Sequence, residues 1–182
     1  MAAYVIVGAS LTGATAAITL REEGADDSVT LVDAEPEPAY ERPPLSKTYL
    51  RGEVPFEKAY VRPPAFYAQH GITAIQGIRA TRVDPSARVV ELDDGRRVPY
   101  DALLVATGGR NRRLSIAGGD LPGIYSLRTD HDPDRIRAEM APGRRVVVVG
   151  MGFIGSEVAA SLRQKGLDAV AMHPSNTPLF RV

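Results

Sequence analysis

Residues 4–17 read YVIVGASLTGATAA, and residues 146–160 read VVVVGMGFIGSEVAA. In each stretch an apolar run of strand length enters a glycine turn and then a helix rich in small residues. The second stretch carries Gly150, Gly152 and Gly155 in the G-x-G-x-x-G spacing. In that spacing the first glycine makes a tight turn and the second lets backbone approach a pyrophosphate. The third lets helix and strand pack closely, and the helix amino terminus faces the negative charge. The first stretch keeps the frame with Gly8 and Gly13 but has Ser10 in the middle. Serine adds a β-carbon where close approach is usual, although its hydroxyl is able to donate to a phosphate. Alone, this stretch reads equally as a phosphate cradle or as a turn that binds nothing.

Residues 11–23 have helical spacing, and Gly24 closes them as a left-handed cap would. SVTLVD (28–33) is a second strand, so a βαβ unit with a parallel pair and a right-handed crossover is expected. An acid that holds a ribose hydroxyl belongs about 20 residues beyond the glycines. Asp33 and Glu35 both qualify by position. After the second motif the return strand is LDAVAM (167–172), and the matching place holds His173 with no acid nearby. His173 reads as a simple loop residue. The missing carboxylate also leaves NADP, or a poorly discriminating site, open.

Between the two motifs lies a proline-dense stretch, 34–66, in which Pro44 begins a short helix through LSKTYL and Pro64 another, ended by Gly71. From Ile72 to Val105 several strands follow, including a hairpin with a polar DDG tip and a buried strand, ALLV, that opens into a glycine turn. Residues 129–140 suit a helix with acids in its first turn. The fold class is α/β, a three-layer Rossmann-type arrangement. The second dinucleotide-binding domain is incomplete, because only two of its strands are here; a fragment of a longer chain, or a partner that supplies the remainder, is expected.

Twenty-two basic and 22 acidic side chains balance in 182 residues, so nothing points to nucleic acid or an anionic membrane. Basic GRNRRL (109–114) reads as solvated loop charge. The absence of cysteine excludes a disulfide framework, a Cys-ligated zinc and a redox dithiol within these residues, and no metal site is expected. No apolar run reaches the roughly 20 residues of a membrane span, and the amino terminus reads as a strand rather than a signal peptide. A soluble cytoplasmic protein is the expectation.

In their order, VIVGASLTGA (5–14), YERPPLSK (40–47), LLVATGGR (103–110), YSLRT (125–129) and the second glycine stretch resemble the FAD-dependent NAD(P)H:ferredoxin and rubredoxin reductases. These flavoproteins have two dinucleotide-binding domains and serve cytochrome P450 and oxygenase systems. The resemblance implies FAD on the first unit, with its adenosine diphosphate along Gly8, Ser10, Thr12 and Gly13. The family's ribose acid stands at position 34 or 35, and Ala34 shifts the role to Glu35. Arg42 and Lys47 would line the flavin, Ala80 would lie by the adenine, and Ala106, Thr107, Gly108 and Arg128 would meet the cofactor. NAD(P)H would sit on Gly150, Gly152 and Gly155. Glu157 is similar to an acid that reaches Lys47 at the flavin's reactive face, and these two are the candidate catalytic residues. A flavin that accepts hydride becomes anionic, so a nearby ammonium stabilises it, and a carboxylate holds the lysine.

The implied domains are an FAD-binding part at 1–110, a connector at 111–142 and the start of an NAD(P)-binding domain at 143–182. The implied reaction is hydride transfer from NAD(P)H to FAD, then electron delivery to a ferredoxin-type iron–sulfur protein. Monodehydroascorbate reductases, NADH oxidases, the apoptosis-inducing-factor family and a non-catalytic nucleotide-binding fragment are the alternatives.

Overall fold

The computed structural model describes residues 1–24, 26–174, 177 and 179; the last residues of the 143–182 segment lie outside them. The chain forms two compact units, 1–41 with 59–109 and 42–58 with 110–182. The proline-rich residues 42–58 therefore fold with the later part of the chain.

The first unit runs β1 (Ala3–Val7), α1 (Leu11–Glu22), β2 (Ser28–Val32), α2 (Pro64–Gln69), β3 (Ile72–Ile75), β4 (Ala80–Asp84), β5 (Val89–Leu92), β6 (Arg97–Pro99) and β7 (Ala102–Val105). Its main sheet has the order β3-β2-β1-β7, with every pairing parallel. Strands β4, β5 and β6 form an antiparallel meander, which contains the expected hairpin. Alternation along β1 and β2 sorts the core into two layers. Ile6 and Leu31 pack with Ala14 and Ala17 of α1, while Val5, Val7 and Val32 pack with Val90 and Leu92 of the meander. With both faces covered, β1 and β2 are mainly apolar runs, whereas β7, expected as a buried strand, leaves Leu104 and Val105 exposed. Full burial of each such valine, leucine or isoleucine stabilises by about 1.5–3 kcal/mol. On one side of β1 the chain proceeds to β2 and β3; on the other lies β7. The order reverses there, and in such sheets ligands settle outside the carboxyl ends of the strands at the reversal.

The second unit holds a 3₁₀ turn (Pro43–Ser46), α3 (His131–Ala138), β8 (Arg145–Val149), α4 (Phe153–Gln164) and β9 (Asp168–Met172). The expected helix through 44–50 shortens to the 3₁₀ turn. Two prolines supply no N–H, the Lys47 and Tyr49 amides both donate to the Pro44 carbonyl at 3.0 Å, and Lys47 leaves the helical region with φ −124° and ψ −110°. The Asp132 carboxylate accepts from the Arg128 and Thr129 amides at 2.7 and 2.8 Å, which fixes the entry to α3. Strands β8 and β9 pair in parallel from Arg145↔Asp168 to Val149↔Met172. Val147, Val149, Val170 and Met172 remain exposed on this two-stranded pair.

Candidate functional site

The two glycine turns match at their first and middle positions. Gly8 has φ +103° and Gly150 φ +99°, values open to glycine and strained for other residues. The Gly8 amide donates to the Val32 carbonyl and the Gly150 amide to the Met172 carbonyl, both at 2.8 Å. Ser10 (φ −72°, ψ −174°) matches Gly152 (φ −78°, ψ −171°). A β-carbon at Gly13 would lie 1.8 Å from the Gly8 carbonyl oxygen, and one at Gly155 would lie 1.8 Å from that of Gly150. Each turn therefore needs its third glycine for the helix to meet the turn at all. Ser10 sits in ordinary extended backbone, so the departure from the glycine pattern brings no strain.

Neither α1 nor α4 has a side-chain cap or an acid in its first turn. Neither cap residue's side chain takes the leading amides, and the helix dipole favours an anion there. The middle position tests the fit of a dinucleotide. A β-carbon at Gly152 would meet nothing within 4 Å. Backbone at Gly152 is therefore open to approach by a pyrophosphate, and Ser10 shows that the same position also takes a small side chain. In the first turn Gly8 also backs onto β7's exit, where its β-carbon would lie 2.4 Å from the Ala106 carbonyl oxygen. The Ala106 amide donates to the Val7 carbonyl at 2.7 Å, which brings Ala106, Thr107 and Gly108 beside the turn at the strand-order reversal.

The two acids after β2 have different surroundings. Asp33 Oδ2 accepts from the Ala9 amide at 2.5 Å and Oδ1 from the Glu35 amide at 2.9 Å, so Asp33 braces the turn. The Tyr40 hydroxyl donates to Glu35 Oε2. In the second unit His173 Nδ1 accepts from the Met151 amide at 3.3 Å. Since Val32 and Met172 are the matching strand ends, His173 stands where Asp33 stands and makes the same bond to the turn. It is the loop residue that the sequence leads one to expect, with a hydrogen bond to the turn in addition.

Lys47 and Glu157, 110 positions apart in the chain, meet in the second unit with Nζ 2.7 Å from Oε2. The buried Ser46 hydroxyl donates to the same oxygen at 2.5 Å. One turn further along α4 the buried Ser161 hydroxyl donates to the Ser46 carbonyl at 2.7 Å, and Arg51 donates to Ser161 Oγ at 3.1 Å. Burial would raise the Glu157 pKa, but the Lys47 and Ser46 hydrogen bonds and the Lys47 charge outweigh it and hold the carboxyl below its ordinary range. With side chains 42% and 31% exposed, the ion pair contributes little stability and serves to fix an ammonium in place.

Of the other sequence-predicted residues, Arg42 donates to the Arg128 carbonyl within the second unit. Ala80 opens β4 and packs against the Val5, Val7 and Val32 layer, and Thr12 is exposed in the first turn of α1. Ser46, Ser161 and Arg51 were not legible as site residues. The i, i+4 spacing of Glu157 and Ser161 puts both on one face of α4, but which segment meets that face is set by tertiary folding. Among the described residues no cluster of His, Asp or Glu could hold a metal ion, and no helix is long and apolar enough to cross a membrane.

Two parallel-strand glycine turns, one at a strand-order reversal, define a dinucleotide-binding α/β protein. The pyridine nucleotide-disulphide oxidoreductase family model matches residues 2–182, and the chain belongs to that family. It is 42% identical to rhodocoxin reductase of Rhodococcus erythropolis over 97% of its length, and 41% identical to a ferredoxin–NAD(P)(+) reductase of Sphingomonas sp. over 98%. The reductase in the covalent putidaredoxin reductase–putidaredoxin complex matches all of the chain with a TM-score of 0.94 and 36% identity. The chain spans 42% and 43% of the two curated relatives and 44% of the solved chain.

Proposed function

We propose that this chain is the dinucleotide-binding portion of a flavoprotein reductase that takes hydride from NAD(P)H and passes electrons to a ferredoxin-type protein. The similarity to rhodocoxin reductase, to a ferredoxin–NAD(P)(+) reductase and to the partner of putidaredoxin supports the electron-acceptor class. Bound FAD supplies the conversion of a two-electron hydride into single-electron steps. Gly8, Ser10, Thr12 and Gly13 hold the adenosine diphosphate of FAD, with Ala80, Ala106, Thr107, Gly108 and Glu35 as its further contacts. Gly150, Gly152 and Gly155 hold the pyrophosphate of NAD(P)H. Arg42, Lys47 and Arg128 attend the flavin; Lys47 offsets negative charge, and Glu157 positions Lys47. The work of these residues is alignment and electrostatics, and none moves a proton in this scheme. A cytoplasmic location suits such an electron carrier.

The observation that carries the reading is the match between the two turns, with first-glycine φ values of +103° and +99° and a third glycine that each helix entry requires sterically. Gly152→Ala is expected to lose about a tenfold factor in affinity for NADH and NADPH, or ~1.4 kcal/mol, because it adds bulk without the donor that a serine brings. Its melting temperature should fall by only about 2–4 °C, the effect of weakening a helix amino-terminal position by about 1 kcal/mol. Fluorescence titration with each nucleotide measures the first and calorimetry the second. Unchanged affinity for both nucleotides would sink the assignment of this turn.

A further inference from the structure

The second turn is selective for the dinucleotide that carries a 2′-phosphate, and we infer that His173 makes it so. This rests on the dinucleotide reading above and deepens it. The two units provide an internal comparison. Each first glycine donates to the last carbonyl of the neighbouring strand, Val32 in one and Met172 in the other, at the same 2.8 Å. The next side chain then accepts from the residue after that glycine: Asp33 from Ala9, and His173 from Met151.

The chemistry of the two acceptors differs. A carboxylate that braces a turn keeps spare lone pairs and a negative charge, which suits a donating ribose hydroxyl and repels a phosphate. An imidazole that accepts through Nδ1 carries its proton on Nε2. The ring therefore offers a donor and no charge repulsion at the position where the first unit carries the Asp33 carboxylate. No Asp or Glu occurs among the ten residues after Met172 to restore a carboxylate. A donor in place of an acceptor favours the phosphorylated ribose over the free hydroxyl.

The test is binding, which needs no turnover. NADPH, NADH, 2′,5′-ADP and 5′-ADP are titrated separately into the protein, into His173→Asp and into His173→Asn. The wild type is expected to bind NADPH and 2′,5′-ADP at least tenfold more tightly than NADH and 5′-ADP. His173→Asp should reverse that order. His173→Asn, whose amide both accepts from the turn and donates outward, should keep it within about threefold. Equal or tighter binding of NADH by the wild type would overturn the assignment of His173 and leave the dinucleotide reading standing. Failure of all four nucleotides to bind the folded wild type would overturn both. If His173→Asp does not fold, the wild-type ratio and the asparagine variant decide the matter.

Discussion

Gly13→Ala is expected to destabilise the protein by about 3 kcal/mol or more, although glycine to alanine inside an exposed helix normally stabilises by about 1 kcal/mol. The sign reverses because the new β-carbon would lie 1.8 Å from the Gly8 carbonyl oxygen and 3.0 Å from its carbon, both backbone atoms. Relief requires α1 to lift from β1, which opens the layer formed by Ile6, Ala14, Ala17 and Leu31. Differential scanning calorimetry should record a fall in melting temperature of about 10 °C for a chain of this size. The equivalent Gly155→Ala should behave alike, since Gly150 stands at the same 1.8 Å. A loss of under 1 kcal/mol in both variants would show that the turns yield more readily than their geometry implies.

Lys47→Met is expected to slow flavin reduction by NAD(P)H by about a hundredfold, the scale for removal of one preorganised electrostatic partner. Glu157→Gln should slow it by about tenfold, because the ammonium stays but loses its anchor. Anaerobic stopped-flow on flavin-loaded protein is the measurement. An effect below threefold in Lys47→Met would remove Lys47 from the flavin's surroundings. The pH behaviour supplies a second readout. The folded pKa of Glu157 lies below its ordinary 4.5, so its contribution to stability is present above that value and is lost as pH falls through the lowered one. In Lys47→Met the carboxyl keeps burial and the Ser46 hydroxyl but loses the ammonium, so its titration moves to higher pH. Carbon-detected NMR of the Glu157 carboxyl follows this directly.

Much of the first unit was legible in the chain itself. Apolar strands that enter Gly8 and Gly150 mark both turns, and Gly24, Gly71 and Gly95 punctuate the elements that follow, all with positive φ. The main exception among the elements was the 44–50 segment, where paired prolines and the Lys47 backbone produce a 3₁₀ turn instead of a helix. Site residues that depend on local backbone, such as Gly13 and Gly155, were readable because their constraint lies within a few residues. Ser46 and Ser161 were not, because two ordinary serines acquire meaning only when α4 lands on the 43–51 segment. His173 was visible only in part: its spacing from Gly150 drew attention, while its equivalence to Asp33 emerged only from the shared hydrogen bond to the turn.

The bonds that join residues 46–51 to α4 also dictate an order of assembly. Ser46 and Glu157 lie 111 residues apart, and Arg51 and Ser161 lie 110 apart. At synthesis rates of about 5–20 residues per second, the earlier partner waits on the order of ten seconds for the later one. Meanwhile, residues 59–109 complete the first unit around an excursion that has nothing yet to bind. A nascent chain stalled with residue 130 newly exposed should be cut by trypsin at Arg51 and Lys58, and one that exposes α4 should resist. Protection of both sites in the shorter chain would show that the excursion orders itself unaided. The network that holds an ammonium in place closes, during translation, only once α4 has emerged.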